Sequence, residues 1–259
     1  MKYLVLTRRS LLTIALCAVL GFASICIGAS TVSTAVATAS TERVIPIYSV
    51  EREDKVCAIS FDAAWGNEQT DGLLKTLDDY KVKTTFFLVG DWVKKYPDSV
   101  RKIAKKGHDV GNHSSNHPHM SSLSVDEMKA QLTDCNDEIR KLTGKSPTLF
   151  RAPYGDYNND VVNTVTGMDM YCVQWNIDSL DWKDPSAEQI VDNCVKKLVP
   201  GSIILLHNGA KNTPEALPKV IEAIRNEGYK IVPISKLIPK GEYTTDVTGK
   251  MIMKTADSN

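Results

Sequence analysis

From Lys55 onward, short apolar runs alternate with segments of helical period, and this alternation restricts the chain to few architectures. A strand covered on both faces reads as a near-continuous apolar run, whereas the helix after it is apolar along one stripe only. The expected strands are residues 56–61, 84–89, 108–112, 148–151, 170–175, 202–206 and 230–232. Between them, Ser124-x-x-Glu127 and Ser186-x-x-Gln189 read as capping boxes, and Thr213-Pro214 places proline at a first helical position. Gly107, Gly144 and Gly228 stand where helices should end before the next strand. That many β/α repeats in so short a span suit a small, distorted (β/α)7-type barrel better than an open sheet. No Gly-, Ser- or Pro-rich linker interrupts residues 55–240, so these are read as one domain, with 41–54 as an extended lead-in and 241–259 as an irregular polar tail.

The N-terminus is a different object. Lys2, Arg8 and Arg9 precede an apolar run over residues 11–29, followed by small residues with Ala-x-Ala sites at 35–37 and 37–39. This describes a secretory signal, yet the run is nearly long enough to span a bilayer. Residues 1–40 are therefore read as a signal peptide or a retained membrane anchor, and the domain as exported to the cell envelope or beyond. Lys plus Arg and Asp plus Glu balance at 31 each, with no basic stripe, which argues against a nucleic-acid partner. Cys57, Cys135, Cys172 and Cys194 match no zinc spacing, and Cys57 and Cys172 fall in apolar runs, so buried thiols are expected.

The ionisable residues fall in a pattern. Asp62 follows the first expected strand, His113 the third, Arg151 the fourth, Asp178 and Asp181 the fifth, and His207 the sixth. In a parallel β/α barrel these strand ends share one face, where active sites are built. Each cluster alone has a plainer explanation. Asp62 could be a turn former, Arg151-Ala152-Pro153-Tyr154-Gly155 a turn, and His207 a packed core histidine. His113 and His117 lie four apart, a spacing at which two imidazoles can share a metal, whereas His108 and His119 lack it and are read as structural or solvated.

Taken in order, Phe61-Asp62, His113-Ser114-Ser115-Asn116-His117, Arg151-Ala152-Pro153-Tyr154-Gly155, Asp178-Ser179-Leu180-Asp181-Trp182 and Leu205-Leu206-His207 resemble the motif series of the polysaccharide deacetylases, the NodB homology domain of carbohydrate esterase family 4. The resemblance implies the NodB homology barrel and hydrolysis of N-acetyl groups on an acetylated polysaccharide, peptidoglycan or a chitin-like N-acetylglucosamine polymer. It also implies a divalent metal, usually Zn²⁺, held by His113 and His117. In that scheme Asp62 is the general base, Arg151 holds it, and His207 is the general acid. Asp181, with Asp178, orients His207. The Tyr154 backbone N–H meets the oxyanion, and Trp182 and Leu205 wall the acetyl pocket. The chemistry is coherent, because bound zinc lowers the pKa of its water from 15.7 to about 7, and an amine leaving group requires a proton.

One departure matters. The family carries two consecutive aspartates in its first motif, base then metal ligand, whereas this chain reads Asp62-Ala63-Ala64-Trp65-Gly66. Ala63 cannot coordinate, so the metal site is expected to be weakened. The pattern resembles a sporulation-associated subgroup. It leaves an active deacetylase with other donors such as Asn67 or Asn116, a catalytically impaired glycan-binding module, or hydrolysis by Asp62 and His207 without a tightly held metal.

Overall fold

The structure, a computed structural model, describes residues 42–254. The expected signal or anchor, residues 1–40, lies outside them. Among the described residues no helix is long and apolar enough to cross a membrane.

Strand β2 (Val56–Ala63) is buried along its whole length and forms the spine of the fold. Chain order then runs α1 (Thr70–Asp79), β3 (Thr85–Leu88), α2 (Gly90–Lys95), α3 (Pro97–Lys105), β4 (Asp109–Asn112), α4 (Val125–Thr143), β5 (Leu149–Phe150), α5 (Asn159–Thr166) and β6 (Tyr171–Cys172). After these come β7 (Ile177–Asp178), α6 (Ala187–Val195), β8 (Ile203–His207), α7 (Thr213–Asn226), β9 (Lys230–Ile231) and the short α8 (Ile234–Leu237). The parallel strands lie in the order β6-β5-β4-β3-β2-β8-β7, with β9 pairing the start of β2. This curled parallel sheet is the barrel that the alternation implied. It stays open between its end strands β6 and β7, which do not pair with each other.

Alternation along β2 divides the core. Cys57, Ile59, Phe61 and Ala63 join the apolar cluster beneath the helices, whereas Ala58 joins a second cluster with Phe87, Val173 and Ile203 on the other face of the sheet. The helices bury one stripe each. In α4, Met128, Leu132, Cys135 and Ile139 face inward at spacings of three and four, each worth about 1.5–3 kcal/mol as an upper bound. Both capping boxes form, and α4 stops at Gly144, whose φ of 73° is the left-handed conformation that only glycine adopts freely. The four described thiols are buried and free, and burial pushes Cys57, Cys135 and Cys172 up to about 12.

Two features depart from the reading of the sequence. Strand β7 was not expected, since two residues inside a loop carry no periodicity. The lead-in, read as extended, and the tail, read as polar and irregular, pair as strands: β1 (Ser49–Val50) pairs in parallel with β11 (Lys250–Met253), which pairs with β10 (Tyr243–Thr245). The polar composition hid a single anchoring face on which Met251 is 1% exposed and Tyr243 and Met253 pack alongside it. Ile47 adds to the edge of β6, accepting from Gln174 N–H at 2.7 Å, and Val50 N–H donates to the Gly201 carbonyl at 3.0 Å. The lead-in therefore ties the open edge of the sheet to the start of β8.

Candidate active site

Asp62 stands near the C-terminal end of β2, level with Phe87 on β3 and His207 on β8. Its carboxylate is 6% exposed and takes Arg151 Nη1–H on Oδ1 at 2.7 Å. Arg151 is fully buried. Its Nη2–H donates to the Gln174 carbonyl at 3.1 Å, and its guanidinium lies 4.1 Å above the Phe87 ring. Burial opposes charge on Asp62, but Arg151, helped by the imidazoles of His113 and His207, holds its carboxyl below the ordinary carboxylate value.

His113 follows β4, its N–H bonded to the Leu88 carbonyl at 3.0 Å. Its Nδ1 is 2.7 Å from the Arg151 carbonyl. A carbonyl only accepts, so Nδ1 carries the hydrogen, and in the neutral ring Nε2 is left with a free lone pair. That nitrogen is 3.4 Å from Asp62 Oδ2. The His117 ring lies 4.9 Å from that of His113, edge to face. Burial, then the neighbouring His113, pushes His117 down to about 4, and burial also lowers His113. Both rings are thus held neutral, the form that binds metal.

The rest of the donor set does not fit a three-ligand metal site. Ala63 is fully buried in the apolar cluster beneath the helices and offers no donor. Among the described residues no group of three His, Cys, Asp or Glu side chains could hold an ion. Asn67 and Asn116, the substitutes considered from sequence, do not line the pocket.

His207 ends β8 opposite a fully buried carboxylate. Its Nδ1–H donates to Asp181 Oδ1 at 2.7 Å, its backbone N–H donates to Oδ2 at 2.8 Å, and Thr213 Oγ1–H donates to Oδ2 at 2.7 Å. With every oxygen of Asp181 engaged, the imidazole is fixed in one orientation. Burial disfavours charge on the ring, but the Asp181 hydrogen bond and the charges of Asp181, Asp62 and Asp178 raise it above the ordinary imidazole value. Asp178 is not a hydrogen-bond partner of His207. It lines the pocket and accepts from Leu180 N–H at 2.8 Å, and burial raises its pKa.

These groups open on one pocket of 430 Å³ lined by Asp62, His113, His117, Tyr154, Asp178, Trp182, Leu205 and His207, with Ala64, Trp65 and Trp175. Arg151 and Asp181 stand behind it, each fully buried. A hollow of 520 Å³ beside Lys183 and Gln189 is larger but contains none of these acid–base residues. Ser114, His117, Tyr154 and Leu180 all have φ between 56° and 69°, so backbone strain that bulky residues normally avoid is concentrated around the site. Reading the sequence missed Trp65 and Trp175. The available signal was a tryptophan shortly after a strand, Trp65 beyond β2 and Trp175 beyond β6, and the Trp65 ring lies 5.1 Å from that of His207.

A curled parallel β/α sheet with its polar groups gathered where β2 and β8 end is how β/α-barrel proteins carry their active sites. The family model for polysaccharide deacetylase matches residues 49–173. A peptidoglycan-N-acetylglucosamine deacetylase of Bacillus cereus is 34% identical over 196 residues, covering 74% of this chain and 92% of that protein. The chain belongs to the polysaccharide deacetylase family, carbohydrate esterase family 4. The peptidoglycan-N-acetylmuramic acid deacetylase PdaC of Bacillus subtilis is 35% identical over 189 residues, covering 73% of this chain. The chain spans only 40% of the length of PdaC. A solved structure described as a CE4 family pseudoenzyme from Bacillus anthracis is 35% identical, covers 74% of this chain and 68% of its own, and superposes with a TM-score of 0.72. A mutant of that protein, described as having restored enzymatic activity, gives the same TM-score of 0.72.

Proposed function

We propose that this chain is an exported hydrolase that removes N-acetyl groups from envelope polysaccharide, with peptidoglycan as the polymer. One observation carries the reading: Asp62 and His207 stand level on neighbouring strands over one pocket, with the Asp62 carboxyl held below its ordinary value by Arg151 and the His207 imidazole raised above its own by Asp181. A general base must be ionised and a general acid protonated at the same pH, and environments that push two titratable groups apart mark such a pair.

Asp62, kept ionised by Arg151, takes a proton from a water molecule as that water attacks the acetyl carbonyl carbon. The backbone N–H of Tyr154 meets the oxyanion that forms. His207, oriented by Asp181, gives its proton to the amide nitrogen, the C–N bond breaks, and acetate and a free amine leave. Asp178 adds negative charge near the imidazolium. Leu205 and Trp182 provide apolar walls for the acetyl methyl. Bound zinc would supply a more acidic water and would be held by His113 and His117 alone among the described residues, and each step above is assigned to the chain's own groups.

A second reading is favoured by Ala63: the same pocket binds glycan without turning it over, as the likeness to a described pseudoenzyme suggests. Acetate release from purified peptidoglycan and from N-acetylglucosamine oligomers, with metal content measured on the same sample, separates the two. Turnover abolished by His207→Ala, with glycan binding retained, supports the hydrolase. Glycan binding with no acetate from either polymer hands the case to the binding module.

A further inference from the structure

His119 has no part in the chemistry above, and its sequence context suggested a structural or solvated side chain. Its surroundings are more specific. The imidazole lies parallel to the Tyr154 ring, with centroids 4.4 Å apart and planes inclined by 19°. His117 meets the same ring edge to face at 4.5 Å. Tyr154 is the residue with φ 60° and ψ 7°, and it remains 63% exposed at the mouth of the pocket, whereas Asp62 inside is 4% exposed. A bulky residue in the left-handed region costs about 1–3 kcal/mol and persists only where its surroundings over-determine it.

Those surroundings form a staple between the loops after β4 and β5. Asp156, two residues beyond Tyr154, accepts Ser121 N–H at 3.0 Å and Ser121 Oγ–H at 2.7 Å. The same carboxylate is 3.6 Å from His119 Nδ1, and Ser122 Oγ–H donates to the His119 carbonyl at 2.7 Å. Met120, between these residues, is fully buried and fixes the turn to the core. Asp156 thus links the loop that carries Tyr154 to the turn that carries His119, and the imidazole braces the phenol ring from one side. An exposed aromatic ring with restricted motion is a suitable surface for the apolar face of a sugar, because little conformational entropy remains to be lost on binding.

We propose that His119 is a positioning residue for glycan recognition: by stacking on Tyr154 it fixes that ring as a platform for the pyranose next to the sugar whose acetyl group enters the pocket. This rests on the reading of the pocket as a glycan site. Binding of di- and tetrasaccharides of N-acetylglucosamine is measured by calorimetry on the full chain and on His119→Ala and His119→Phe. Nitration of Tyr154 by tetranitromethane is followed by peptide mass spectrometry on the same three proteins.

Loss of the stack should weaken tetrasaccharide binding about threefold to tenfold and affect the disaccharide less. Tyr154 should also nitrate severalfold faster in His119→Ala, and the Phe variant should restore both properties. A merely structural role for His119 would weaken both ligands equally and would not be rescued by phenylalanine, which overturns the proposal. If the wild type binds no oligosaccharide, the glycan reading fails and the proposal with it. If the wild type binds and His119→Ala binds equally well, only the proposal falls.

Discussion

The Arg151–Asp62 pair should behave as a coupled unit, in which removing both halves costs less than the sum of removing each alone. Arg151 is wholly buried and the Asp62 carboxylate 6% exposed, so neither charge has water to fall back on. Arg151→Met deletes the 2.7 Å bond to Asp62, the 3.1 Å bond to the Gln174 carbonyl and the cation held over Phe87. Breaking a buried pair from one side costs about 3–5 kcal/mol, a large share of the roughly 5–15 kcal/mol that stabilises a domain. Asp62→Leu should cost a similar amount by leaving the guanidinium unpaired. The double variant should fall short of the summed costs by about 2–3 kcal/mol, since neither charge is then stranded. Urea unfolding at pH 7 measures all four proteins.

The pH dependence supplies the sign. In the wild type the folded pKa of Asp62 lies below the ordinary 3.8, so its contribution is complete above that value and is lost as pH falls through the folded pKa. Without Arg151, burial dominates and the carboxyl is raised, which favours the folded state as pH falls. The difference between wild type and Arg151→Met should therefore shrink on acidification. Strict additivity, or single-variant costs below about 1 kcal/mol, would mean that water screens the pair, and the argument for a pre-ionised base would collapse.

Further outcomes follow from the same geometry. Acetate release should be sustained from below neutrality to above 6.5, the ordinary imidazole value, and decline as His207 loses its proton. Asp181→Asn should move that alkaline limb to lower pH, and an unmoved limb in a pH–rate profile would remove His207 from the acid role. The raised His207 also contributes stability that is complete below 6.5 and lost as pH rises through its folded pKa, which chemical unfolding across pH can register. Ala63→Asp introduces a carboxylate at a fully buried position, at a cost of about 3 kcal/mol without metal. Urea unfolding measures that loss, and a cost below about 1 kcal/mol would show that the position is open to water. A Cβ at Gly201, where φ is 80°, would lie 1.7 Å from the Val50 carbonyl oxygen, so Gly201→Ala should cost about 3 kcal/mol in thermal unfolding. A smaller loss would show that the lead-in is not held against that turn.

The chain's own text determined the parallel β/α architecture, because buried strands, one-sided helices and their caps are local patterns that a period and a few residue types reveal. It also placed the chemistry at strand ends, since Asp62, Arg151 and His207 each close an apolar run. The resemblance pointed to Asp181 with Asp178 as partners of His207, and separating the two needed the fold, because only the turn between them decides which reaches the ring. The strands at the two ends of the chain were equally illegible, since β1 and β11 pair across some two hundred residues and neither has a core of its own. The stacking of His119 on Tyr154 joins loops after different strands. Contacts of that kind depend on where the backbone turns, and no spacing in the sequence encodes them.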